Sequence, residues 1–162
     1  MADVKPFAVE WSPEAVESVL DRVRAYPFPP APAVEDGWNY GCDVNFLNGL
    51  TAYWADGFDW RAAVADLNRF PQFTARVEDF DLHFLHVVGE AGGQRPLLLS
   101  HGWPGSHYEF WGAIEKLAFP SRFGGRAQDA FDLVVPSLPA SAFRPSPSAR
   151  SASAGRRGCS TP

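Results

Sequence analysis

The 162 residues suit one domain, or one domain with an appendage, and at 46% hydrophobic and 14% aromatic content they can bury a sizeable core. A net charge of −5, with no Lys/Arg cluster over most of the chain, argues against nucleic-acid or anionic-membrane partners. Cys42 and Cys159 lie far apart in sequence, and no apolar run approaches bilayer length, so we expect a cytoplasmic chain without a disulfide framework, metal site or membrane span.

Three helices are predicted in the first part of the chain. Ser12 is a suitable N-cap and Pro13 a suitable first helical residue, with apolar residues at helical spacing after them. Apolar side chains also recur at helical spacing over residues 44–55. Asp59 can cap a third helix, over Trp60–Leu67. These segments form a helical region ahead of the first strongly β-like sequence.

Strand patterns follow. Residues 73–80 and 82–88 alternate in period two around Glu78 and Asp79, which predicts an antiparallel hairpin. Residues 96–99 form an uninterrupted apolar run, and residues 131–136, which are apolar except for Asp132, are predicted to form another buried strand. Such runs are typical of strands buried on both faces, as in parallel sheets.

A polar, glycine-bearing turn follows the strand predicted at 96–99, and an amphipathic helix follows the turn. Ser106 is a plausible N-cap, with Glu109 three residues later. A strand, a tight turn and a helix leave backbone N–H groups free at the helix start, where they can bind an anion. Gly and Pro also occur in ordinary strand-to-helix turns, so on this segment alone the alternative of an ordinary connecting turn remains open.

The segment His101-Gly102-Trp103-Pro104 resembles the His-Gly-X-Pro oxyanion motif after the third strand of α/β-hydrolases. A longer resemblance, over residues 7–139, is to microsomal-type epoxide hydrolases. It is carried by Tyr53-Trp-Ala-Asp-Gly-Phe-Asp-Trp-Arg61, Leu67-Asn-Arg-Phe-Pro-Gln-Phe73, Leu99-Ser-His-Gly-Trp-Pro-Gly-Ser106 and Val135-Pro-Ser-Leu-Pro139. The resemblance implies an α/β protein, namely the N-terminal part of an α/β-hydrolase fold. A helical arm precedes it, and the chain is truncated after about the fourth strand.

The resemblance also implies a reaction. Such enzymes open a small-molecule epoxide with an aspartate in a Gly-Gly-Asp-Trp-Gly turn, and a His paired with a carboxylate then activates water to hydrolyse the alkyl-enzyme ester. Two lid tyrosines hold the epoxide oxygen. Nucleophile, base and tyrosines have no matching positions here, and no cofactor or metal is implied. What matches is the backbone N–H of Trp103 as an oxyanion donor, in a turn shaped by His101, Gly102 and Pro104, with Trp103–Pro104 a candidate cis bond.

The remaining polar residues are interpreted as structural or solvent-exposed. His83 and His86 lie in a strand pattern and are expected to be structural or surface histidines. His107 opens a helix, where exposure is expected. Three aspartates are interpreted as helix caps or solvent-exposed charges, namely Asp56, Asp59 and Asp66.

The sequence departs from the family pattern at residue 140. Residues 140–162 are rich in Ser, Ala, Arg and Pro. Codons that can encode residues 139–144 give Gly-Phe-Gly-Phe-Ser in another reading phase, which is similar to the family sequence. We therefore predict a disordered, frameshifted tail at 140–162, a genuine low-complexity tail being the alternative. The predicted domains are an arm with the first hairpin at 1–92 and the start of the hydrolase core at 93–139.

Two functions remain open from the sequence. The first is a truncated epoxide hydrolase that carries the oxyanion motif and is inactive alone. The second is a non-catalytic binding or interaction module that reuses the same N-terminal region. Unpaired sheet edges and apolar patches would favour non-specific self-association over a designed partner site, whereas a well-behaved monomer would favour the second function.

Overall fold

The computed structural model of the chain describes residues 3–28, 38–39, 41–78, 80–92 and 95–138. The predicted tail at 140–162 and Cys159 lie outside this part of the chain. Over the described residues, no helix is both long enough and apolar enough to cross a bilayer.

Along the described chain, one strand precedes three consecutive helices, three strands follow them, and the last helix precedes the last strand. The helices are α1 (Pro13–Arg24), α2 (Val44–Ala52), α3 (Trp60–Leu67) and α4 (Trp111–Ala118). The strands are β1 (Val4–Phe7), β2 (Gln72–Val77), β3 (Phe80–Val87), β4 (Pro96–Leu98) and β5 (Asp132–Pro136).

Two compact units make up the chain, and residues Val9–Leu67 form the helical one. Its helices begin where side chains cap them: the Ser12 hydroxyl accepts from the Ala15 N–H at 3.2 Å, and the Asp59 carboxylate accepts from the Ala62 N–H at 2.9 Å. Both predicted caps are thereby confirmed. The helix predicted over 44–55 ends at Ala52 and continues as one π-helical turn, Tyr53–Gly57.

The second unit contains a sheet, in which the described strands follow the order β1-β2-β3-β5-β4. The predicted hairpin is confirmed: β2 and β3 are antiparallel, and Glu78 at its turn has a φ of 51°. Strand β5 is antiparallel to β3 and parallel to β4. The carboxyl ends of β4 and β5 therefore meet at the same edge of the sheet.

The prediction that residues 96–99 are buried on both faces is wrong. Strand β4 lies at one margin of the described sheet, and 64% of the Leu98 surface is exposed. Strand β5 alternates, with Leu133 and Val135 fully buried and Val134 only half-buried. An apolar run reports the composition of a strand, whereas burial depends on its place in the sheet order, which the run does not encode.

One face of the sheet packs against α4. The inward residues of β3 and β5 recur at period two and those of α4 at helical spacing, so each element presents one apolar side. The buried cluster consists of Phe70, Leu85, Val87, Trp111, Ile114, Ala118, Leu133 and Val135. This packing fixes α4, and with it the segment that joins β4 to α4.

The backbone comes close to itself at Gly89, which follows β3, and Phe131, which precedes β5. A Cβ added there would lie 2.6 Å from the Phe131 carbonyl oxygen, whereas one added at Gly112 in α4 would meet nothing within 4 Å. We predict that Gly89→Ala destabilises the chain by about 1–3 kcal/mol, since backbone must move to admit it. Gly112→Ala should be neutral or stabilising, by up to about 1 kcal/mol. Urea unfolding followed by circular dichroism measures both, and a Gly89→Ala midpoint at or above that of Gly112→Ala would contradict this packing.

Leu98 tests whether the margin of the sheet drives association. An exposed apolar side chain on an edge strand invites pairing with another chain, and a charge there opposes it. We predict that Leu98→Lys raises the concentration at which the chain self-associates, as measured by light scattering during gel filtration. Val77→Lys, at another exposed apolar position in the same sheet, serves as control. Equal effects of the two substitutions would assign association to general hydrophobicity.

Candidate functional site: the turn after strand β4

A tight turn at the carboxyl end of β4 contains the motif residues. The Gly105 N–H donates to the Gly102 carbonyl at 2.7 Å, which closes the turn. The Trp103–Pro104 bond is cis, as predicted. The Trp103 side chain is 95% exposed, and its backbone N–H has no acceptor among the residues that the structure describes. This N–H is thus available to an external acceptor.

The helix after the turn begins as Ser106 predicts. The Ser106 hydroxyl accepts from the Tyr108 N–H at 3.3 Å, and a 3₁₀ turn, His107–Phe110, leads into α4. The Glu109 carboxylate folds back so closely that a Cβ at Gly105 would overlap it, and the Gly102 carbonyl lies 3.0 Å from the same point. A side chain at position 105 would therefore require the Glu109 carboxylate to move away and the Gly102 carbonyl to shift slightly.

His101 anchors the start of the turn. Its ring is 6% exposed, and its Nε2 accepts from the Leu138 N–H at 3.2 Å, just past the end of β5. Its Nδ1 lies 3.2 Å from the Gly102 carbonyl. Because β4 and β5 run parallel, the residues that follow the two strands meet at this edge. The His101 ring, after β4, therefore binds the backbone of Leu138, after β5.

A second histidine anchors the end of the turn. His107 is 2% exposed, so its predicted exposure is wrong: its ring packs against Trp111 and points into the core. Its Nδ1 lies 3.3 Å from the fully buried Ser137 hydroxyl, which lies 2.7 Å from Nδ1 of His83. Nε2 of His83 lies 2.9 Å from the Gln72 side-chain oxygen. Four buried side chains thus form one hydrogen-bonded chain.

Burial keeps these histidines neutral. Desolvation lowers the pKa of His83 to about 4, with a smaller contribution from the charge of His107. Desolvation likewise lowers the pKa of His107, and the charge of His101 adds to it. The structural interpretation of His83 is thereby borne out, and His86 is half-buried on the opposite face of β3.

The turn offers a backbone hydrogen-bond donor but carries few reactive groups. Over the described residues, no three His, Cys, Asp or Glu side chains are grouped so as to hold a metal ion. The aspartates of the helical unit have local roles: Asp59 caps α3, and Asp56 lies 3.7 Å from Arg24. The chemistry that the geometry offers is therefore hydrogen-bond donation from the Trp103 N–H.

Comparison with known proteins identifies the family. The family model described as "Epoxide hydrolase N terminus" matches residues 4–110, a range that includes the whole turn. The chain belongs to the epoxide hydrolase family. Among curated epoxide hydrolases, Epoxide hydrolase 1 of Sus scrofa is 35% identical over 144 residues, which are 86% of this chain and 32% of that protein. The chain spans about a third of the length of such relatives.

Solved epoxide hydrolases share the fold. The Aspergillus niger epoxide hydrolase matches with a TM-score of 0.78 and 31% identity, over 91% of this chain and 38% of that one. The juvenile hormone epoxide hydrolase of Bombyx mori matches with a TM-score of 0.77 and 27% identity, over 91% and 35%. The described chain is therefore α/β and corresponds to the N-terminal part of an epoxide hydrolase, as the sequence resemblance implies.

The sequence did not reveal the roles of Ser137 and His107. One signal was available: His83 shares its period-two face with Leu85 and Val87, so it had to be buried and hydrogen-bonded. The partner of a buried histidine lies 54 residues away, however, and only the sheet order brings Ser137 to it.

The neutral histidines predict acid sensitivity. The folded-state pKa of His83 is about 4, below the usual 6.5, so between these pH values the folded state binds fewer protons than the unfolded state. The free energy of unfolding is therefore highest above pH 6.5 and falls as the pH drops toward 4. The His83 contribution lost between pH 7 and 5 is about 2 kcal/mol. His83→Gln should flatten the pH dependence, whereas His86→Gln should retain it. Urea unfolding at both pH values measures this, and equal pH dependence in wild type and His83→Gln would contradict it.

Proposed function

We propose that this chain supplies the helical arm and the oxyanion turn of an epoxide hydrolase. In this role the Trp103 N–H donates to the oxygen that becomes negatively charged when water attacks the alkyl-enzyme ester. His101, Gly102 and Pro104 shape the turn. One observation carries the proposal: the Trp103 N–H has no acceptor among the described residues, in a turn that is closed by the bond from the Gly105 N–H to the Gly102 carbonyl.

Electrostatic reasoning supports this role. A preorganised N–H stabilises an oxyanion without reorganising during the reaction, and removing one such donor costs about 100- to 1,000-fold in rate. The turn is held by His101 and His107 before any substrate arrives. A neutral donor set also suits a site in which the epoxide and the ester are themselves uncharged.

The proposal extends to the domain organisation. Residues 1–92 serve as the arm and first hairpin, and 93–139 as the start of the hydrolase core. The 162 residues contain no Gly-Gly-Asp-Trp-Gly segment, so we expect the purified chain, on its own, not to hydrolyse epoxides. A cytoplasmic location and a frameshifted tail remain predictions from sequence.

A chimera tests the oxyanion role. Residues 3–138 would replace the matched segment of the Aspergillus niger epoxide hydrolase, and single-turnover kinetics would separate ester formation from ester hydrolysis. Proline has no backbone N–H, so Trp103→Pro should slow hydrolysis of the ester about 100-fold or more while formation changes less. Trp103→Ala retains the N–H, and because the side chain is exposed it should leave hydrolysis within about threefold.

The two substitutions share the loss of the indole ring and differ in the N–H. If Trp103→Pro and Trp103→Ala hydrolyse the ester equally fast, in chimeras with the same circular dichroism spectrum, the Trp103 N–H is not an oxyanion donor. The 162-residue chain, assayed alongside with styrene oxide, should show only the buffer rate. Turnover that follows the purified chain through a second column would contradict its expected inactivity.

A further inference from the structure

The oxyanion turn lies between two buried histidines that are bound to consecutive residues. His101 precedes the turn and accepts from the Leu138 N–H, and His107 follows the turn and bonds the Ser137 side chain. Ser137 is in turn bound twice to one residue of β3: its N–H donates to the His83 carbonyl at 2.9 Å, and its hydroxyl lies 2.7 Å from the His83 ring. Both ends of the turn are therefore tied to the same two-residue segment.

The direction of each hydrogen bond in this series of four side chains follows from Gln72, which lies at one end of it. The Gln72 side-chain nitrogen donates to Asn68, which leaves the Gln72 oxygen facing Nε2 of His83. An amide oxygen can only accept, so Nε2 of His83 carries the proton. Because His83 is neutral, its Nδ1 is unprotonated and accepts the Ser137 hydroxyl proton.

The remaining proton positions are then determined. The single O–H of Ser137 donates to His83, so the Ser137 oxygen accepts from Nδ1–H of His107. Nε2 of His101 accepts from an amide and carries no proton, so its Nδ1–H donates to the Gly102 carbonyl. That carbonyl also closes the turn by accepting from the Gly105 N–H.

We propose that Ser137 is the positioning residue of the oxyanion turn. Its hydroxyl, donating to His83 and accepting from His107, fixes the segment 137–138 against β3 and holds both flanks of the turn in one orientation. The positioning itself rests on the hydrogen bonds above. Its purpose, to aim the Trp103 N–H at an oxyanion, rests on the proposed function.

A nucleophilic role for Ser137 does not fit the geometry. The hydroxyl lies beside a histidine whose other nitrogen is held by an amide oxygen, an arrangement similar to a catalytic triad. Ser137 is fully buried, however, and no electrophile can reach its oxygen. The group therefore acts on the turn and not on a substrate.

The first test needs no substitution. Two-dimensional ¹⁵N NMR of the histidine rings in the 162-residue chain at pH 7 reports which nitrogen carries each proton. We expect the proton on Nε2 in His83 and on Nδ1 in His101 and His107. A proton on Nε2 of His107 would overturn the proposal, because Ser137 would then be unable to bridge the two rings as argued.

The second test removes the hydroxyl. Ser137→Ala should move the His107 proton toward Nε2 and accelerate amide hydrogen exchange of Gly105 and Leu138 about tenfold or more, since both flanks of the turn loosen. Ser137→Thr keeps a hydroxyl and should retain the wild-type proton positions and exchange. Ser18→Ala, which removes an exposed hydroxyl from α1 in the helical unit, serves as the control.

The outcomes separate positioning from function. If Ser137→Ala folds but keeps the wild-type His107 proton position and the wild-type exchange rate of the Gly105 amide, the proposal is overturned. If Ser137→Ala does not fold, the proton positions measured in the wild-type chain decide whether the proposal stands. If the proton positions are as expected but the Trp103 variants of the chimera do not differ, the positioning stands and the oxyanion function falls. In a chimera with an active turn, Ser137→Ala should slow ester hydrolysis more than ester formation.

Discussion

The hydrogen bonds of the buried Ser137 hydroxyl connect the sheet to the turn that carries the family motif. The hydroxyl lies 2.7 Å from the His83 ring and 3.3 Å from the His107 ring, so it joins a central strand to the start of the 3₁₀ turn. In a low-dielectric interior such bonds are strong, and an unmet donor or acceptor is costly. The network therefore has one favourable arrangement, and that arrangement determines where the turn lies.

Sheet topology makes this network possible. Strands β4 and β5 are parallel, so the turn after β4 and the segment after β5 meet at one edge, while the antiparallel β3 supplies His83 beside them. Helix α4 packs on the same face through Trp111 and Ile114 and fixes the far end of the turn. The turn is short and closed by a backbone bond, and the Trp103 N–H has no acceptor among the described residues.

Local features were predictable from sequence, and features that depend on sheet order were not. The Ser12 and Asp59 caps and the β2–β3 hairpin involve residues close in the chain, and each is found where its pattern places it. The burial of β4 was predicted wrongly because an apolar run does not reveal an edge position. The motif identified the turn, but the partners that hold it come from β3 and from the end of β5, through contacts up to 54 residues apart.

The most direct measurement of the central claim is a crystal structure of the chimera trapped as its alkyl-enzyme ester, with the water-activating histidine replaced. We predict that the Trp103 backbone nitrogen lies about 2.7–3.1 Å from the ester carbonyl oxygen. We also predict that His101 and His107 keep their bonds to residues 138 and 137. A separation beyond about 4 Å, or a different donor on that oxygen, would contradict the assignment of this turn as the oxyanion donor.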